Sequence, residues 1–158
     1  MLARLGLRAG EIVHLRLDDV DWSAGIITVR GKGACVSRLP LPVDIGAALA
    51  AYLRCGRPSC ATRRLFVRAR APHVGFASSV AIDCIVRRAL QQAGLKPAVK
   101  GAHLLRHSLA TQMLRSGVSL AEIGQLLGHR VPQSTEIYAK VDQGALADLA
   151  QPWPGGEA

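Results

Sequence analysis

Between His103 and Arg115 the chain sets Leu105, Leu109 and Met113 four residues apart. A run of that period can bury its apolar side chains only as a helix with one face turned inward. The same spacing governs "SSVAIDCIVRRALQQAG" (78–94), where Ile82, Ile85, Val86 and Leu90 share a face and Gly94 supplies the stop. Hydrophobic residues make up 49% of the chain but aromatic ones only 4%. The core must therefore be built from Leu, Val, Ile and Ala, a composition that suits helices.

Further signals complete the pattern. "AGEIVHLRL" (9–17) reads as a short helix that Asp18 to Asp21 close, and "WSAG" as a turn. "IITVR" (26–30) is β-branched and predicts a strand, "GKGA" a turn, and "CVSRLPLP" (35–42) a returning strand, giving a hairpin with Lys32 at its tip. Asp44 is expected to cap a helix that ends at Gly56, and residues 63–72, "RRLFVRARAP", to form a short strand and a basic loop. After the helix that starts at His103, a turn at Gly117 leads to a second helix. That helix opens on the capping box of Ser119 and Glu122 and ends at Gly128. Two short helices follow, one carrying Tyr138 and one over 143–150. The fold class expected is mainly α with a small antiparallel β-sheet (α+β), one domain over residues 1–150 and a flexible tail over 151–158.

The net charge is +9, and its distribution is uneven. From Trp22 to Lys140 there are 17 Lys and Arg against 4 Asp and Glu, whereas the first 21 residues hold 3 against 4 and the last 18 none against 3. A basic middle points to a polyanionic partner, with double-stranded DNA the first candidate. Arg63, Arg64, Arg68 and Arg70 are candidate phosphate contacts. No apolar run approaches the roughly 20 residues that span a bilayer, so no membrane partner is expected. Cys35, Cys55, Cys60 and Cys84 lack metal-ligand spacing, and Cys84, within an apolar helical stretch, reads as a core thiol. The expectation is a reducing cytoplasm, with no metal, no cofactor and no disulfide framework.

Several residues are odd choices for a core: Arg8, Lys32, His103, Arg106, His129 and Tyr138. Each has an ordinary reading, as a helix-end charge, a solvated turn residue, a helix cap or a half-buried aromatic. Their chemistry as a set is more specific. Two guanidiniums can bracket a phosphate through forked hydrogen bonds and offset the charge of a pentacoordinate transition state. A phenol is an oxygen nucleophile once its proton is removed, and an imidazole or ammonium can protonate a leaving oxygen. His14 and His73 fit no such set and are assigned to surface or packing roles.

The ordered motifs resemble those of the tyrosine recombinases, the phage integrase family. "GLRAGEIVHLRLDDVDW" is similar to the family's first arginine box and "RGKGACVSRLPLP" to its lysine hairpin. "HLLRH" is similar to the H-x-x-R-H box, and "LLGHRVPQSTEIY" to the L-G-H…T-x-x-Y ending. The resemblance runs from about Gly6 to Val141. It implies site-specific DNA recombination, with integration or excision of a mobile element, through a covalent 3′-phosphotyrosyl intermediate. By the same resemblance Tyr138 is the nucleophile, Arg8 and Arg106 clamp the non-bridging oxygens, and His129 assists them. Lys32 protonates the departing 5′-oxygen, and His103 assists proton transfer.

Family members carry a core-binding domain and further helices before the first arginine box, whereas seven residues precede Arg8 in this sequence. The resemblance therefore implies a catalytic domain incomplete at its N-terminus, assembling as a tetramer on DNA in a full-length context. The rival expectations are a non-catalytic DNA-binding module, an inactive integrase remnant, or an enzyme of the type IB topoisomerase kind. Residues 104–127 do have helix–turn–helix character, but the second helix offers few base-reading side chains beyond Gln125.

Overall fold

The first element is one that the sequence barely signals. In the computed structural model, which describes residues 1–31, 35–97 and 101–128, Leu2–Leu5 form a single helical turn (α1). It ends at Gly6 with φ 61°, a left-handed conformation that costs glycine nothing because no Cβ meets the preceding carbonyl. Helix α2 follows over Ala9–His14 with Arg8 at its N-cap, burying Ile12 and Val13. It stops short of the expected Leu17, because Leu15 turns extended (ψ 141°) and buries its side chain instead. A 3₁₀ turn over Leu17–Asp19 then delivers the chain to the sheet.

That sheet has three antiparallel strands in the order β1 (Val20–Asp21), β2 (Ile26–Arg30) and β3 (Val36–Pro40). Val20 and Leu39 lie opposite Ile27 from either side. Alternation along β2 puts Ile27 and Val29 into the core and turns the residues between them away from it. The expected hairpin is present, with Gly31 N–H donating to the Cys35 carbonyl at 2.8 Å across its loop. Helix α3 (Val43–Ala51) and a π turn over Tyr52–Gly56 come next. Asp44 does not cap α3. The N-cap is Pro42, and Asp44 stands inside the first turn, where its carboxylate pairs with Arg4 at 3.3 Å.

Residues 63–72 do not form the expected strand. Only isolated bridges occur there, Arg16 opposite Arg64 and Val67 opposite Gly75. The segment is pinned instead by Arg57, whose guanidinium donates to the carbonyls of Thr62 (2.7 Å), Arg64 (3.0 Å) and Leu65 (3.3 Å). Leu65 is driven fully into the core. Helix α4 (Val80–Gln92) inserts Ile82 and Val86 and packs against α2. Ile85, expected on this buried face, is 53% exposed, and Cys84 is exposed rather than a core thiol. At 100° per residue, Ile82, Val86 and Leu90 define the inward line, Ile85 falls on its flank and Cys84 near the opposite side. All four cysteines are free.

The chain divides into two compact units, Met1–Arg106 and His107–Ala158, and helix α5 (Ala102–Arg115) passes from the first into the second. The first unit holds the core described so far. In the second, Ala110, Ile123 and Leu127 are buried, with Leu109, Met113, Leu114 and Val118 packed around them. The expected α5 stripe of Leu105, Leu109 and Met113 is therefore half-buried, and the fully buried position of α5 in this unit is Ala110, outside that stripe. Helix α6 (Leu120–Leu126) opens on the expected box: Glu122 N–H donates to Ser119 Oγ at 3.3 Å, and Ser119 N–H donates to Glu122 Oε2 at 3.0 Å. The helices expected around Tyr138 and over 143–150, and the tail, lie outside the described residues. Among the described residues no helix is long and apolar enough to cross a membrane.

Candidate active site

Arg8 stands where the loop after α1 enters α2, and its surroundings are built locally. Its backbone N–H donates to Glu11 Oε2 at 2.8 Å, and its guanidinium to Glu11 Oε1 at 2.9 Å. One carboxylate thus caps the helix and holds the arginine from one edge. The Arg8 side chain stays 47% exposed while Glu11 is only 11% exposed, so the cation faces solvent over a shielded acid. Glu11 also reaches the lysine hairpin, because a Cβ built on Gly31 would lie 3.7 Å from its Oε1.

Arg106 arrives from the other end of the first unit. It is only 4% exposed, and its guanidinium donates to the Gly6 carbonyl. Gly6 and Arg8 are two residues apart, hence at most about 7 Å between Cα atoms. The hydrogen bond therefore ties Arg106 to the segment that carries Arg8, although 98 positions separate them in sequence. Burial of Arg106 does not follow from its residue type, and the Gly6 carbonyl is one of the polar partners that a buried guanidinium requires. His103 lies three residues earlier on α5, exposed. Lys32, His129 and Tyr138 lie outside the described residues. Gly31, immediately before Lys32, stands beside Glu11, so the hairpin that carries the lysine starts next to the first arginine.

The four arginines expected to meet phosphate divide in two. Arg63 donates to Asp18, through Nε at 2.8 Å and through its second nitrogen. The pair holds the Asp18 carboxyl below the ordinary carboxylate range and pushes the Arg63 guanidinium up. Arg64 donates to the His14 carbonyl at 2.8 Å. Arg68 and Arg70 are exposed. His14 and His73 each bond a nearby carbonyl, Gly10 at 2.7 Å and Arg68 at 3.2 Å, which fits the surface or packing roles assigned to them.

Two acids missing from the expected set touch the segments that carry it. Glu11 has a local signal, an opposite charge three residues after Arg8 on a helix. Asp19 has a weaker one: it is buried, accepts Arg16 N–H at 2.8 Å and pairs with Arg30, the last residue of β2 before the lysine hairpin.

The family model described as the phage integrase family matches residues 1–144. Among curated proteins, y4rA of Sinorhizobium fredii, named an integrase/recombinase, is 55% identical over 154 residues, which is 98% of this chain and 37% of that protein. The crystal structure of XerA recombinase superposes with a TM-score of 0.78 at 32% identity, covering 94% of this chain and 53% of that one. XerH site-specific recombinase, in a post-cleavage complex with its palindromic difH substrate, gives 0.77 at 26% identity, covering 96% and 43%. The chain therefore spans between about a third and a half of the length of these relatives. The expected fold class, mainly α with a small antiparallel sheet, is borne out.

Proposed function

This chain belongs to the phage integrase family, and on that premise we propose that it is the catalytic domain of a tyrosine recombinase acting on double-stranded DNA. The Tyr138 oxygen attacks the scissile phosphorus as the bond to the 5′-oxygen breaks, leaving a 3′-phosphotyrosyl link and a free 5′-hydroxyl. Arg8 and Arg106 offset the charge gathering on the non-bridging oxygens, with His129 beside them, and Lys32 gives its proton to the departing oxygen. His103 assists proton transfer. The 5′-hydroxyl of a second strand then reverses the step, so the bond energy is kept and no nucleotide cofactor is called for. The arginines supply the positive charge that a metal provides in other phosphoryl-transfer sites.

The observation that carries this reading is the bond from buried Arg106 to the carbonyl of Gly6, two residues before Arg8. It anchors the one arginine to the segment that carries the other. In the proposal the chain works in the cytoplasm within a longer protein or assembly that grips DNA from the opposite side, as a tetramer during strand exchange. A bare helix–turn–helix module fits less well: the exposed residues of α6 are Ala121, Glu122, Gln125 and Leu126, and the acid repels phosphate.

The test is a library of nicked duplexes with randomised core sequence, from which SDS-resistant protein–DNA adducts are recovered. Adducts are expected with the unaltered chain and none with Tyr138→Phe, which still binds DNA. Equal adduct yield from Tyr138→Phe would refute the assignment of the nucleophile. Binding without any adduct would favour the non-catalytic module.

A further inference from the structure

We propose that Asp83 is a positioning residue for the H-x-x-R segment, acting through the N-terminus of α5; this rests on the recombinase reading of Arg106. The residue before the first of α5, Ala102, is Gly101, which has no side chain with which to cap the helix. The cap comes through space instead. Asp83 Oδ1, on α4, accepts the Ala102 N–H at 2.8 Å from 19 residues away. A carboxylate there satisfies one of the helix's open amides and opposes the positive end of its dipole.

The two sides of this contact are matched. Gly101 has φ 102°, and a Cβ built on it would stand 2.8 Å from Asp83 Oδ1, so any side chain at position 101 would displace the carboxylate. Asp83 is itself held rigidly, because Ile82 and Val86 beside it are buried in the core. Helix α4 also packs on α2, the helix that Arg8 caps. One helix therefore sets both arms of the proposed clamp: α2 by packing, and α5 by the carboxylate four residues before Arg106. Without the Asp83 carboxylate, the first turn of α5 frays, and the Arg106 guanidinium no longer has a fixed origin from which to reach Gly6.

The experiment uses the ¹⁵N-labelled 158-residue chain, with Arg106→Lys to assign the Arg106 Nε–Hε signal. Amide exchange is read at Ala102 and at Ile27, a fully buried strand residue that reports global opening. Asp83→Ala is expected to speed exchange at Ala102 and at Arg106 Hε by about tenfold or more, with little change at Ile27. Asp83→Asn keeps a neutral acceptor and should restore both signals most of the way. If the alanine variant does not fold, the smaller rises in the asparagine variant should still occur together at Ala102 and Arg106. Faster exchange at Ala102 with Arg106 unmoved would overturn the proposal, as would an equal rise at all three sites or no change at Ala102. Failure of the chain to form any DNA adduct counts against the proposed function and leaves this reading to stand or fall on the exchange data.

Discussion

Replacing Asp19 by alanine should destabilise the first unit and loosen the strand end that leads to Lys32. The carboxylate is buried, accepts Arg16 N–H at 2.8 Å and pairs with the Arg30 guanidinium. Hydrogen bonds to charged groups are each worth about 1.5–3 kcal/mol. Arg30 keeps 56% of its side chain in water, so its charge is rehydrated once the acid is gone, and the lower end applies. The expected loss is about 2–3 kcal/mol, a large fraction of the roughly 5–15 kcal/mol that holds a domain of this size. Arg30→Ala removes one partner of a buried carboxylate, which is costly for the acid left behind. The double variant should therefore lose less than the sum of the two singles, by at least about 1 kcal/mol. Urea unfolding followed by far-UV circular dichroism measures all three, with unchanged m-values as the condition for comparison. A cost below about 0.5 kcal/mol for Asp19→Ala, or strict additivity, would refute the view that this pair braces the hairpin.

Two further expectations follow from single sites. Lys32→Ala should slow adduct formation, and a substrate whose 5′ leaving group is a sulfur should recover it, since a better leaving group has less need of a proton; no recovery would remove Lys32 from the general-acid role. At the start of α6, the Ser119 hydroxyl and N–H hold the Glu122 carboxyl below its ordinary value. A folded-state value below the unfolded one stabilises above the usual glutamate range near about pH 4.3 and is lost as pH falls through the folded value. The protection factor of the Ile123 amide, its exchange measured against the intrinsic rate at each pH, should therefore fall in acid, and Ser119→Ala should lower it at neutral pH, at a cost of about 1 kcal/mol, while flattening the acid dependence.

The elements legible in the sequence are those whose signal is local. The β2–β3 hairpin rests on a β-branched run facing a returning one, α6 on a box within four residues, and α4 on apolar residues four apart with a glycine stop. Elements defined by a distant partner leave no such trace. Strand β1 is two residues long and exists because Ile26 and Ile27 present a free edge. The Arg64–Val67 segment has strand composition, yet Arg57 holds the carbonyls of Arg64 and Leu65, and only bridges form. Cys84 and Ile85 invite an inward placement because apolar character is easier to read than angle. One residue of phase along α4 separates buried from exposed.

The candidate site divides along the same line. The residues proposed to touch phosphate can be read because their chemistry is scarce: a guanidinium or a phenol cannot be exchanged for another group without losing the reaction. The groups that hold them are interchangeable. Any residue type offers the backbone carbonyl that Gly6 gives to Arg106, and any acceptor of the right reach could do what Asp83 does at Ala102. Such partners leave nothing in a single sequence to find, and 19 positions separate one pair and 100 the other. Arg8, by contrast, finds its partner three residues away in Glu11, so its setting folds with its own helix. The two arginines of the proposed clamp are thus held differently: Arg8 by a local capping contact on a helix that α4 packs against, and Arg106 by a contact across the first unit. Core damage at Ile82 or Val86, on the helix that packs on α2 and carries Asp83, should therefore reach both arginines.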